Sequence, residues 1–191
     1  MKTRSNSFLK SQKNSEVIEA PEELAIDDKL TAMPEDEFLS YMLEGVSRTF
    51  ALTIPQLPEK LHKTVANAYL LCRTVDTIED EPELSYDQKR QLCKKYSEVL
   101  ENEREPESFV NDIIPLLSDS TLPAEHELIQ HTRKVIEIAH SFSPEDQQAL
   151  QRCVKIMGEG MIYYQENASR RGVKDQEEMD KYCYYVAGVV G

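Results

Sequence analysis

The chain has 191 residues with 22 Lys+Arg against 35 Asp+Glu, a formal charge of −13. That sign excludes a nucleic-acid binder and a polybasic membrane tether, both of which concentrate cations against phosphate. Apolar residues at 40% can fill a core, and only 6 Gly and 9 Pro amid abundant Glu, Lys, Leu and Ala favour helix.

Residues 1–13 carry four basic side chains and no acid and lack the apolar centre of a secretory signal, so they read as a disordered tail. From Glu16 to Glu44 the sign reverses, with ten acids and one base, giving a solvated lead-in; residues 1–34 are expected to be disordered or loosely ordered. Pro34 opens a short helix over Glu35–Gly45, with Phe38, Leu39, Met42 and Leu43 as its apolar side. In SRTFALTIPQLP two prolines interrupt the pattern and force a turn. Pro58 takes the first position of a long helix that Pro82 ends, with Leu61, Ala68, Leu71, Val75 and Ile78 on its apolar side.

Ser85 caps a helix to about Glu103, Glu107–Leu117 is short and broken by Pro115, and Pro123–Ser141 reads as one helix. Ser143-Pro144-Glu145-Asp146 combines a capping hydroxyl, a first-turn proline and acids at the positive end of the dipole. The helix it opens repeats apolar residues through Cys153, Met157, Met161 and Tyr164, and a last one runs from about Asp175 to Gly191. In the Met157–Met161 stretch, Gly158 and Gly160 suit either a thin cavity wall or close helix packing. No alternating strand pattern and no internal repeat occur, so the fold class is all-α. Cys72, Cys93, Cys153 and Cys183 form no CxxC pair and no zinc spacing, and read as four buried reduced thiols of an intracellular protein. His62, His126, His131 and His140 are scattered and read as surface or packing residues. No stretch approaches the roughly 20 apolar residues that span a bilayer.

The chemistry concentrates in AYLLCRTVDTIEDEP. At about 100° per residue, Tyr69, Arg73, Asp76 and Asp80 fall on one stripe, joining a phenol, a guanidinium and two carboxylates. With Glu79 beside them, the carboxylates form a hard oxygen cluster suited to a hydrated Mg²⁺ shared with substrate phosphates, and Arg73 could take a phosphate oxygen. The competing reading is a solvated acidic helix end, with Arg73 and Asp76 as an intrahelical ion pair. Glu81 and Glu83 are given no role.

SRTFAL at Ser47–Leu52, YLLCRTVDTIED ending at Asp80, and YCYYVAGVVG at Tyr182–Gly191 resemble the squalene/phytoene synthase family, in its order and over Asp36 to Gly191. DTIED resembles the squalene-forming branch, whereas YCYYVAG occurs among phytoene-type members too. The resemblance implies an isoprenoid synthase-type bundle of antiparallel helices around a central cavity. It implies that Asp76, Glu79 and Asp80 hold Mg²⁺, that Ser47, Arg48 and Arg73 contact diphosphate, and that Tyr69 lines the ionisation site. Tyr182 would assist cation formation or proton removal, and Val186, Gly188 and Val189 would line the isoprenoid tunnel. The implied reaction joins two farnesyl diphosphates head to head into presqualene diphosphate and, with NADPH, converts it to squalene. Phytoene-, dehydrosqualene- or hydroxysqualene-forming chemistry and an inactive helical remnant are the alternatives. The implied location is cytoplasmic, with peripheral membrane contact suited to a lipid-soluble product. The family's second acidic motif follows the Tyr-Cys block, inside which this sequence stops. Residues 35–191 are therefore expected to be the N-terminal part of such a domain, lacking the residues that contact NADPH.

Overall fold

The computed structural model describes residues 29–170 and 172–190. The described residues from Met33 onward form a unit of their own. The tail expected over residues 1–34 falls mostly outside the described residues; within it, residues 29–32 are helical. Among the described residues no strand is present, and no helix is long and apolar enough to cross a membrane.

Helix α1, Glu35–Val46, places Glu35, Asp36 and Glu37 at the positive end of its dipole and buries Phe38, Leu39, Met42 and Leu43. The proline-interrupted segment forms a short helix, α2 (Phe50–Thr53), and a 3-10 turn, Ile54–Gln56, where only a bend was expected. The long helix α3 spans Glu59–Asp80, and Pro58 precedes it as the N-cap, with ψ of 143°, instead of occupying its first turn. Pro82 disfavours helical geometry at Glu81, whose ψ of 112° ends α3. Of the residues grouped by period, Leu71, Val75 and Ile78 are each at most 1% exposed, Ala68 is half-buried and Leu61, in the first turn, is 52% exposed; Leu70, outside that grouping, is fully buried. Thr74 and Thr77 are buried too; their hydroxyls donate to the carbonyls of Leu70 and Arg73 one turn back, so they enter the core without leaving a polar group unpaired.

Helix α4, Tyr86–Leu100, begins with a reciprocal cap: the Ser85 hydroxyl accepts from Gln88 N at 3.3 Å and Gln88 Oε1 accepts from Ser85 N at 3.0 Å. It stops earlier than expected because Asn102 turns left-handed, with φ of 62°, and Glu103 N reaches back to Glu98 O at 2.8 Å. Helix α5, Pro106–Ile113, passes into a 3-10 turn at Ile114–Leu116 containing Pro115. The expected single helix over Pro123–Ser141 is two, α6 (Pro123–Gln130) and α7 (Thr132–His140), separated at His131, whose ψ is 19°. At the break the Thr132 hydroxyl donates to Ile129 O at 2.7 Å, a local bond that competes with the regular ladder. His131 is buried, and His140 Nε2 lies 2.9 Å from Leu100 O, so both are packing residues as read.

Helix α8, Pro144–Glu166, is capped by the Ser143 hydroxyl, and α9, Gln176–Val186, by the Asp175 carboxylate. A 3-10 turn at Gly188–Val190 follows α9, which is shorter than the helix expected to Gly191. Helix α3 packs against α1, α6, α7 and α8, while α8 also carries α4 and α9. The glycines of α8 resolve towards packing: a Cβ on Gly158 would sit 3.3 Å from Cys93 Cβ, and one on Gly160 would sit 2.3 Å from the Tyr185 ring. Met157 is buried, whereas Met161 lines a cleft. Cys72, Cys93 and Cys153 are buried as expected; Cys183 is exposed, because α9 buries none of its residues.

Glu81 is 2% exposed and has a structural role that the sequence reading withheld. Its carboxylate accepts from Ser118 N at 3.0 Å, Thr121 Oγ1 at 2.8 Å and Glu83 N at 3.1 Å. Burial alone would raise its pKa; these hydrogen bonds outweigh it and hold the carboxyl below 4.5. A depressed folded pKa contributes stability above the unfolded value that is lost as pH falls through the folded one. Glu81→Gln should therefore cost about 1–3 kcal/mol at neutral pH and flatten the loss of stability below pH 4.5, checked by urea unfolding across pH; an unchanged acid profile would contradict it. Gly160→Ala should cost about 1–3 kcal/mol through overpacking, more than the ~1 kcal/mol that helix propensity returns. It should raise proteolysis between α8 and α9, and Tyr185→Gly in the same chain, which removes the Cβ 2.5 Å away along with the ring, should relieve the clash; a stabilised single variant would contradict the packing.

Candidate functional site

The polar stripe of α3 forms as its period predicts. Tyr69 stacks on Phe50 with ring centroids 4.9 Å apart, tying the SRTF segment to α3. Ser47 leaves α1 in an extended conformation, and its hydroxyl accepts from Phe50 N at 3.1 Å, so it also starts α2. Arg48 is exposed on that turn and makes no ion pair with a described residue.

Arg73 is the electrostatic centre. Its side chain is 24% exposed; Nη2 pairs with Glu125 Oε1 of α6, Nη1 lies 3.7 Å from Asp76 Oδ2, and buried Nε has no hydrogen-bond partner among the described residues. Burial works against the guanidinium charge, but Glu125 and then Asp76 overcome it and raise the Arg73 pKa. The expected intrahelical pair with Asp76 is thus present but secondary. Glu125 was missed by sequence reading. Its signal lay three residues after Leu122 at a proline-opened helix start, where an acid reaches back to the chain: Oε2 accepts from Leu122 N at 3.3 Å, leaving Oε1 for Arg73.

Burial pushes the Asp76 carboxyl up to about 6; Arg73 opposes this, while Asp80 and Glu125 add to it. Burial and neighbouring Asp80 push Glu79 up to about 7, against Lys89. Asp80 is exposed at the helix end. These are hard oxygen donors in a partly desolvated place, a set that fits a hydrated divalent cation. Among the described residues, no three acidic, His or Cys side chains are placed to hold a metal by themselves.

The end of α3 is clamped from α4 and α8. Buried Lys89 donates to Glu79 O and to Gln165 Oε1, the latter at 2.9 Å, and Gln165 Nε2 donates to Glu79 O at 3.0 Å. This ammonium and this amide serve the carbonyl end of the dipole. Lys89 was legible in principle: with Leu92, Cys93 and Tyr96 it completes the buried i, i+3, i+4, i+7 face of α4.

Beside Glu79 lies a cleft of about 960 Å³ whose lining includes Met161, Tyr164, Gln165, Tyr182 and Val186. Tyr182 is 39% exposed and meets Tyr164 edge-on at 5.3 Å between centroids. The structure therefore brings Glu79, Tyr182 and Val186 to one cleft and gathers Tyr69, Arg73, Asp76 and Asp80 on the adjoining stripe. Val189, in the final 3-10 turn, does not line the cleft.

The profile of the squalene/phytoene synthase family matches residues 43–191. The chain is 34% identical over 152 residues to squalene synthase of Saccharomyces cerevisiae, covering 78% of this chain and 32% of that protein. It is 32% identical over 164 residues to squalene synthase BSS of Botryococcus braunii, covering 83% and 32%. It is 28% identical over 158 residues to presqualene diphosphate synthase of Botryococcus braunii, covering 83% and 36%. The solved structure of TcSQS with the ligand BPH1237 superposes with a TM-score of 0.65 at 26% identity, covering 82% of this chain and 42% of that one. The chain thus spans about a third of the length of the curated relatives it matches. With its motifs, all-helical architecture and these likenesses in agreement, the chain belongs to the squalene/phytoene synthase family and has its isoprenoid synthase-type helical fold.

Proposed function

We propose that this chain forms part of a head-to-head prenyl-condensing site that joins two farnesyl diphosphates into presqualene diphosphate and, with hydride from NADPH, leads to squalene. The observation that carries the reading is Arg73: a half-buried guanidinium, held by Glu125, with an unused Nε donor beside a carboxylate stripe. Arg73 would bind a diphosphate oxygen, with Ser47 and Arg48 on the neighbouring turn taking others. Asp76, Glu79 and Asp80 would hold Mg²⁺, which when bound draws negative charge onto the departing diphosphate. Tyr69 would face the resulting allylic cation, and Tyr182 would accept or relay the proton lost on ring closure. Val186 and Val189 would keep the prenyl chain away from water, and the hydrocarbon product suits a peripheral membrane contact.

A second reading, in which the reaction ends at presqualene diphosphate, is favoured by the likeness to a relative named for that product. Turnover with and without NADPH separates the two: a hydrocarbon appearing only with NADPH supports squalene formation, and presqualene diphosphate alone under both conditions supports the shorter reaction.

Binding tests the shared reading directly. The chain should bind farnesyl diphosphate in a Mg²⁺-dependent way, and Asp76→Ala or Asp80→Ala should weaken that binding about 10- to 100-fold, as expected for loss of a charged ligand. Glu83→Ala, outside the motif, should leave it unchanged. Equal affinity with and without Mg²⁺ would sink the proposal.

The pH dependence follows from the raised carboxyls. Without metal, the fold holds more protons than the unfolded chain between the ordinary values, 3.8 and 4.5, and about 6 and 7. The stability these groups contribute is full below the ordinary values and lost as pH rises through 6 and 7. Thermal unfolding should therefore show a decline over this window that Mg²⁺ reverses, with Mg²⁺ affinity growing as the competing protons leave; Asp76→Asn should shrink both effects.

A further inference from the structure

Cys72 on α3 and Cys153 on α8 meet in the core with their sulfurs 3.7 Å apart, close enough for one thiol to donate to the other. Both residues are buried, at 6% and 8% exposure, and neither has a part in the proposed condensation. We infer that Cys72 and Cys153 form a peroxide-responsive thiol pair that closes into a disulfide pinning α3 to α8.

The geometry asks for a small movement. A disulfide holds its sulfurs about 2.05 Å apart, so the pair must close by about 1.7 Å, within the reach of side-chain rotation across two helices already in contact. The two thiols are also unequal. The hydrogen bond between the sulfurs stabilises whichever thiol ionises, and the positive charge of Arg152, next to Cys153, favours ionisation there, so in this scheme Cys153 is the attacking sulfur.

The chemistry balances with a peroxide as oxidant. The Cys153 thiolate attacks the terminal peroxide oxygen, the O–O bond breaks, and Cys153 becomes a sulfenic acid as hydroxide or alkoxide leaves and is protonated. The Cys72 sulfur then attacks the sulfenyl sulfur; its proton and the departing hydroxide leave as water, and the S–S bond forms. Two thiols are oxidised to one disulfide and one peroxide is reduced. The other cysteines are placed differently: Cys93 packs its sulfur towards Gly158, and Cys183 is exposed on α9.

The crosslink would join residues 81 positions apart and sit immediately before Arg73. Its effects should be a narrower unfolded ensemble and a fixed α3–α8 contact at the start of the polar stripe.

The test uses the reduced 191-residue chain, treated with hydrogen peroxide and then digested with trypsin without reductant. The expected result is a fall from four free thiols to two, with Thr64–Arg73 joined to Cys153–Lys155. The unfolding midpoint should rise by about 10 °C and return with dithiothreitol. Cys183→Ser should retain the crosslink, and Cys72→Ser should abolish both crosslink and midpoint rise. Pairing through Cys93, dimers through Cys183 alone, a Cys153 that stops at sulfinic acid, or four surviving thiols under excess peroxide would each overturn the inference. Because the wild-type chain supplies the peptide map, a Cys72→Ser variant that folds poorly does not weaken the test.

Discussion

The structure depends on how the carbonyl end of α3 is tied down. A helix entering the core with acids in its last turn confronts two electrostatic costs: unpaired terminal carbonyls and mutually repelling carboxylates. Each is met by a partner from a different element. Lys89 of α4 and Gln165 of α8 take the Glu79 carbonyl, the segment before α6 supplies Ser118 and Thr121 to Glu81, and Glu125 of α6 engages Arg73. The apolar side of α3 supplies burial, but these polar ties fix where its last two turns point.

This division explains why four neighbouring acids behave so differently. Glu81 is buried with three donors and is pushed towards its charged form; it serves the fold. Asp76 and Glu79 are desolvated without matching donors and are pushed towards their neutral forms, leaving unmet demand for positive charge. Asp80 projects into solvent. A helix end that was only a solvated acidic face would leave all of these carboxyls in water, and the contrast among them is the electrostatic case for a site here.

Local signals were readable where they were short in range. The Ser85 and Ser143 caps, the proline stops and the stripe from Tyr69 to Asp80 follow from spacing alone. What spacing could not supply was the other partner of a long-range bond. Glu125 lies 52 positions from Arg73, and its sequence context explains its cap to Leu122 but says nothing of α3. Ser118 and Thr121 are similarly remote from Glu81. The separation of α6 from α7 was missed because Leu128, Val135, Ile136 and Ala139 continue a helical period across His131, and apolar period is blind to a hydroxyl that bonds the preceding turn. Leu61 was misplaced for a related reason: a helical wheel records angle but not how far along its axis neighbouring elements extend.

The His131 break has a consequence for register. Alongside α3, Asn67 reaches Val135 of α7 and Arg73 reaches Glu125 of α6. The two anchor points on α3 are separated by about 9 Å of rise, whereas an uninterrupted helix would put Glu125 and Val135 about 15 Å apart along its own axis. Interrupting the second helix takes up that mismatch, acting as a vernier between two rods of unequal step so that one polar and one amide anchor engage together.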